Sequence, residues 1–149
     1  MLARLRKTTD ENKEGGFTLI ELLVVMIIIG ILAAIAIPAF LSQKKKAKET
    51  SAKADVTTIG KEVAAYYVDG TNKLTLSSTG GTWTLVDDAA VIVSTSGKLS
   101  TGNNVTGSIA GNFDAATQKF CVAVVTADSV SWKYSADAGL QKGACTLLS

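Results

Sequence analysis

Residues Phe17 to Leu41 read FTLIELLVVMIIIGILAAIAIPAFL, and the organisation of the rest of the chain follows from this stretch. It is apolar almost throughout, with Glu21 as its only ionisable side chain. At 1.5 Å per residue, Phe17 to Pro38 makes roughly 33 Å of helix, enough to cross the hydrocarbon core of a bilayer. A helix satisfies its own backbone donors and acceptors, which is what the bilayer interior demands. A buried helix of this length and uniform apolarity would be unusual in a soluble protein.

Three residues interrupt the run. A carboxylate in hydrocarbon costs about 2.5–3.5 kcal/mol on insertion scales, so Glu21 reads as a functional residue with a partner to be found. The plainer alternative is that Glu21 lies close enough to the helix start to reach the headgroups. Pro38 removes a backbone donor and crowds the preceding turn, which predicts a kink or loosening there. Gly30 lowers helix propensity by about 1 kcal/mol relative to alanine. The segment between Gly30 and Pro38 is therefore the part expected to lose regular hydrogen bonding first.

The flanks differ sharply from the run. Met1 to Gly16 is polar, with Arg4, Arg6, Lys7 and Lys13 set among Asp10, Glu11 and Glu14. Beyond the run come Lys44, Lys45, Lys46 and Lys48. The basic residues balance across the segment, so the positive-inside rule does not orient it. Such runs form solvated or headgroup-facing surfaces, and a net charge of +2 gives no case for nucleic-acid binding. A secretory signal cut near Ala34-Ile35-Ala36 is a competing reading. The three acidic residues of the leader, the length of the run and Glu21 all argue against it. A plain single-pass anchor is the other ordinary explanation.

From Ser42 the helical pattern continues but turns amphipathic, with Val56, Ile59, Val63, Tyr66 and Tyr67 on one stripe and Lys48, Lys53, Lys61 and Glu62 largely off it. Asp69-Gly70 is the expected stop. Leu74–Leu76, Thr82–Val86, Val91–Thr95, Phe120–Thr126 and Val130–Tyr134 read as strands, with Gly80-Gly81, Asp87-Asp88 and Ala127-Asp128-Ser129 as turns. Ser96 to Asn112, rich in Gly, Ser, Thr and Asn, is expected to be a long surface loop. The simplest architecture is α+β, one antiparallel sheet of four or five strands lying on the second half of a long N-terminal helix.

The chain has 149 residues, room for one compact domain plus accessories. It has two cysteines, Cys121 and Cys145, and no histidine. Cysteines placed after a membrane segment point to one disulfide in an oxidising exterior, and two buried thiols that never meet are the alternative. No catalytic constellation is present: histidine, clustered metal ligands and a glycine-rich phosphate loop are all absent from the sequence. Asp87-Asp88 could attract a cation but reads more simply as a solvated acidic turn. Asn104-Val105-Thr106 fits the N-glycosylation pattern on three residues only.

Gly16-Phe17-Thr18-Leu19-Ile20-Glu21, followed by Leu22-Leu23-Val24-Val25 and the run to Pro38, resembles the class III signal of type IV pilins. The charged leader, Gly before Phe, the acid at the fifth position after that junction and the distal proline all match. The resemblance covers about the first third of the chain; beyond it the similarity lies in size and pattern alone. The leader and the Met26-Ile27-Ile28-Ile29 core are similar to pilins of Gram-positive bacteria, actinobacteria included, and no LPxTG sorting motif is present.

The resemblance implies a type IV pilin fold, and it implies roles for particular residues. A membrane prepilin peptidase would cut between Gly16 and Phe17 on the cytoplasmic side and methylate the new amine of Phe17. The carboxylate of Glu21 would pair with the Phe17 amine of a neighbouring subunit, and the helix would loosen between Gly30 and Pro38 inside the filament. Cys121 and Cys145 would bound the C-terminal loop that pilins close with a disulfide. The implied organisation is a leader over 1–16, a transmembrane and polymerisation helix over 17–41, an amphipathic helical half over 42–69 and a β-sheet domain over 70–149.

The expected partners are further copies of the chain in a homopolymeric filament, the peptidase, an inner-membrane assembly platform, and lipid before assembly. No cofactor, metal, catalytic or nucleic-acid site is expected. The chain would be a single-pass membrane protein first and part of a surface pilus afterwards. A pseudopilin of a type II secretion or competence system shares the same first third. Major pseudopilins of secretion systems carry calcium in a C-terminal acidic loop, and Asp128 and Asp137 make no such cluster by sequence. A non-polymerising secreted or anchored protein is the third class.

Overall fold

The computed structural model describes residues 16–89, 92–106 and 119–146. One helix, α1, runs Leu19–Tyr66 without interruption. The chain divides into two compact units, one ending at Leu41 and the other beginning at Ser42. α1 contributes to both.

In the first unit the large apolar side chains of α1 are exposed, from Leu19 at 80 % to Leu41 at 58 %. The described residues contain one helix long and apolar enough to cross a membrane. So much uncovered aliphatic surface is stable only in lipid or against other protein.

In the second unit the same helix has a buried stripe. Ala52, Val56, Ile59, Val63 and then Tyr67 are buried at spacings of four, three, four and four, the period of one helical face. Tyr66 is half-buried and packs edge-on to Tyr67, ring centroids 5.1 Å apart. The stripe begins one turn earlier than the sequence stripe, at Ala52. The helix ends at Tyr66, and the Gly70 amide donates to the Tyr66 carbonyl at 2.8 Å, closing the turn that follows.

Among the described residues seven strands follow: β1 Leu74–Thr79, β2 Thr82–Asp87, β3 Ile92–Lys98, β4 Asn103–Thr106, β5 Cys121–Thr126, β6 Ser131–Ser135 and β7 Gly139–Lys142. They form two antiparallel sheets rather than the single sheet expected, β1-β2-β3 and β4-β5-β6-β7. β1 and β2 join through Gly80 and Gly81 at φ of 59° and 76°, values that suit a tight hairpin and that glycine adopts without a Cβ penalty. The reading of 96–112 as loop is corrected over its first part. β3 runs on to Lys98, and Asn103–Thr106 pairs with Thr126–Ala123. Residues 107–112 of that segment, Val91 and the leader over 1–15 lie outside the described residues.

Both sheets contribute to one core with α1: Leu74 and Leu76 from β1, Trp83 and Leu85 from β2, Val122 and Val124 from β5, with Leu99 and Phe120. β5 is buried on both faces over Cys121–Val124, as an apolar strand flanked by β4 and β6 should be. At about 25 cal/mol per Å² of apolar surface, burial of this kind is the main force closing the unit.

Polar ties fix the helix to the sheets. The half-buried Asp55 carboxylate accepts from the Ser100 amide at 2.9 Å, the Ser100 hydroxyl at 3.0 Å and the Asn103 side-chain amide at 2.7 Å. These bonds hold the β3–β4 connection against α1. Lys48 donates to both carboxylate oxygens of Asp128 at 2.9 Å, in the β5–β6 turn. Lys53 lies 4.2 Å above the Trp132 ring. Tyr67 accepts from the Leu74 amide at 3.3 Å, and burial pushes its phenol up to about 12.

Candidate assembly site at the helix start

α1 begins with a reciprocal cap. Thr18 is the last non-helical residue, and its carbonyl accepts the Leu22 amide at 3.3 Å. The first turn of any helix leaves amide donors without intrahelical partners. Here the Glu21 amide donates to Thr18 Oγ1 at 3.3 Å, and the Thr18 amide donates to Glu21 Oε2 at 3.2 Å. The Thr18 hydroxyl also donates to Glu21 Oε2, at 3.0 Å. This is a capping box, in which a Thr and a Glu three residues later satisfy each other's amides. A carboxylate in the first turn also faces the positive end of the helix dipole.

The sequence places Glu21 in hydrocarbon with no partner named within its own chain; the structure supplies one. Its Oε2 is held by Thr18, while Oε1 accepts no hydrogen bond among the described residues. The signal is legible in the sequence as Thr-x-x-Glu at the start of the apolar run.

Gly16 and Phe17 precede the helix in irregular backbone, both exposed, Phe17 at 79 %. Gly30 and Pro38 both lie inside α1, which keeps helical backbone through them in the single chain. Loss of the Pro38 donor removes one bond from the ladder, while the turns on either side keep theirs. Gly30 is exposed, and a Cβ placed there would meet nothing within 4 Å.

Cys121 and Cys145 are bonded to each other, with Cα atoms 5.8 Å apart, so the alternative of two separate thiols is set aside. The bridge ties the first residue of β5 to the segment after β7. Beside it lies a depression of about 130 Å³ lined by Lys119, Phe120, Lys133 and Asp137 among others. Hydrogen bonding from Ser135 holds the Asp137 carboxyl below its usual value. Among the described residues, no group of three or more His, Cys, Asp or Glu side chains is arranged to hold a metal.

Residues 12–37 match the family model described as the prokaryotic N-terminal methylation motif. The chain carries a prokaryotic N-terminal methylation motif. The match includes the Gly16–Phe17 junction, the Thr18–Glu21 cap and Gly30, and ends one residue before Pro38. Curated relatives carry the same similarity. The type II secretion system core protein G of Pseudomonas aeruginosa is 44 % identical over 60 residues, 40 % of this chain and 42 % of that protein. The type IV major pilin protein PilA of Myxococcus xanthus is 52 % identical over 52 residues, 35 % of this chain and 24 % of that one. Fimbrial protein Q of Moraxella bovis is 56 % identical over 39 residues, 26 % of this chain and 25 % of that one. The matches thus span less than half the length of these relatives. No solved structure gives a significant match. Over the residues these matches cover, the chain is homologous to type IV pilins and to type II secretion core proteins.

Proposed function

We propose that this chain is a structural subunit, a major pilin, of a type IV filament. The observation that carries the reading is the methylation motif over residues 12–37, a span that contains Phe17 and Glu21. On this reading residues 1–16 are a leader, 17–41 the membrane and polymerisation helix, 42–69 its amphipathic continuation and 70–149 the outward domain. Prepilin peptidase cuts between Gly16 and Phe17 and methylates the Phe17 amine. The apolar first half of α1 rests in lipid, then leaves it for contact with copies of itself at an inner-membrane assembly platform. Exposure of nearly every large apolar side chain from Leu19 to Leu41 supports an element meant for lipid and then for its own kind.

The Glu21 carboxylate meets the Phe17 amine of a neighbour during that transfer. Opposite charges attract strongly at low dielectric, and each is costly there when left alone. Loosening between Gly30 and Pro38 belongs to the assembled state. Intact-mass and N-terminal peptide analysis of fibres sheared from cells tests the reading: the expected chain begins at N-methylated Phe17. A chain beginning at Met1 or Ile37, or absent from the fibres, refutes it. Glu21→Ala is expected to be processed normally and to yield few filaments; undiminished yield would remove the charge-pairing step.

A second reading, a pseudopilin, is favoured by the similarity to type II secretion core proteins G, here that of Pseudomonas aeruginosa. The identity is higher, over shorter segments, to the pilin and fimbrial proteins. Long surface fibres support the pilin, and a short structure confined to the envelope supports the pseudopilin.

A further inference from the structure

We infer that Lys44, Lys45 and Lys46 form a contact for the headgroups of anionic phospholipid while the chain resides in the membrane. The inference rests on the reading of 17–41 as a membrane helix, and adds to it the class of lipid and the residues that recognise it. The three lysines begin three residues after Leu41, the last of the exposed apolar side chains in the first unit. At 1.5 Å per residue they lie roughly 4–8 Å of helix beyond it, the depth of a headgroup layer. Consecutive helical residues stand about 100° apart around the axis, so the three fan over about 200°. All three are exposed, and none makes an ion pair among the described residues.

The carboxylates of the second unit leave these charges uncompensated. Lys48, one turn on from Lys44, gives its ammonium to both oxygens of Asp128 at 2.9 Å, which brings the β5–β6 turn to this part of α1. The neighbouring connections come with it. A Cβ at Gly102 would lie 3.5 Å from that of Ala127, and the Leu99 amide donates to the Gly81 carbonyl at 2.7 Å. The turns gathered there, 80–81, 99–102 and 127–129, carry Asp128 as their one acid. Asp55 is taken up by Ser100 and Asn103. Glu49 is half-buried and makes no ion pair among the described residues. The unit thus spends Asp55 and Asp128 on its own closure, and the lysines that directly follow the apolar run keep their charge. A negative lipid surface attracts such juxtamembrane lysines, over a range set by the Debye length. A zwitterionic headgroup offers phosphate without net charge, so the contact selects anionic lipid.

The test reconstitutes the full-length chain in phosphatidylcholine vesicles doped with spin-labelled phosphatidylglycerol or, in parallel, spin-labelled phosphatidylcholine. Electron spin resonance reads the fraction of each label held at the protein. The wild-type chain is expected to hold phosphatidylglycerol several-fold in preference. The triple variant Lys44→Gln, Lys45→Gln, Lys46→Gln is expected to lose most of that preference, and the matching triple arginine variant to keep it. Salt at about 1 M, where the Debye length is about 3 Å, should weaken the wild-type preference towards that of the glutamine variant. The basic residues of the leader are the same in every variant, so the difference between variants reads 44–46 alone. Equal preference in wild type and the glutamine variant overturns the contact. Fewer filaments from that variant in cells, with its lipid preference unchanged, also overturns it and assigns the lysines to a protein surface. A chain that does not float with the vesicles overturns the membrane reading and the contact together. A wild-type chain that shows the preference yet makes no filament supports the contact and removes only the filament reading.

Discussion

Gly60 is expected to resist the substitution that helix propensity favours. Replacing a helical glycine by alanine gains about 1 kcal/mol where nothing else changes. Gly60 is buried on α1, facing Tyr134 of β6, and a Cβ there would overlap Tyr134 Cδ1 and Cγ and lie 3.0 Å from its Cβ. Rotation of the ring about its own axis gives no relief, because Cβ and Cγ lie on that axis. Relief needs a new χ1 for Tyr134 or a shift of β6, and either disturbs the stacking on Phe120, whose ring centroid is 6.3 Å away. Overpacking costs about 1–3 kcal/mol, and contacts this close to the backbone fall at the upper end. The net effect of Gly60→Ala is therefore destabilisation by roughly 1–2 kcal/mol. For a domain of about this size that lowers the Tm by roughly 5–15 °C. Thermal unfolding of the full chain in detergent, followed by near-ultraviolet circular dichroism, reads this directly. Gly30→Ala in the exposed half of the same helix, where a Cβ meets nothing within 4 Å, is the control and is expected to leave that Tm unchanged. A Gly60→Ala chain at least as stable as wild type would refute the reasoning, because propensity would then outweigh the contact with Tyr134.

Two further outcomes follow from the second unit. Cys145→Ser opens a loop with a sequence separation of 24 and is expected to lower stability by about 3.5 kcal/mol on the chain-entropy account. Denaturant unfolding checks it: reduced wild type should unfold with the variant, and a midpoint shared by variant and oxidised wild type would deny the bridge any stabilising role. Tyr67 has its phenol pushed from 10.0 to about 12 by burial. A raised pKa in the folded state means that the unfolded chain gives up this proton first. The stabilisation is complete below pH 10 and is lost as pH rises towards about 12. Tyr67→Phe is expected to lose the Leu74 bond, with lower stability at neutral pH and a flatter alkaline decline. An unchanged alkaline slope in urea titrations would contradict this.

The sequence disclosed what depends on neighbours along the chain. The apolar run, the stripe through Val56, Ile59 and Val63, and the Gly80-Gly81 hairpin all rest on local period or local backbone freedom, and the structure has each of them. It concealed what depends on pairing across the chain. β4, with the sequence Asn103-Asn104-Val105-Thr106, has no apolar alternation of its own. It is a strand because β5 offers it a ladder and Asp55 binds the residues leading into it. β7 is likewise an edge strand recruited by β6. Whether the strands make one sheet or two is set by such nonlocal contacts, which no window of sequence contains. The close approach at Gly60 was invisible for the same reason, since its cause is Tyr134, far along the chain.

The same contrast explains why the candidate site was half legible. Glu21 stands out because a lone acid in an apolar run violates a composition rule, and composition is readable. Its surroundings are a matter of geometry, and there Thr18 holds Glu21 through its hydroxyl and its amide. An isolated carboxylate in lipid invites protonation or headgroup contact and does not of itself select a partner. A carboxylate fixed through one oxygen and open at the other has a direction, and direction distinguishes one approaching amine from a diffuse cation. If filament growth depends on charge pairing at Glu21, the residue that aims the charge must be one that reaches it without leaving the membrane segment. Thr18, the residue that caps the turn carrying Glu21, meets that condition.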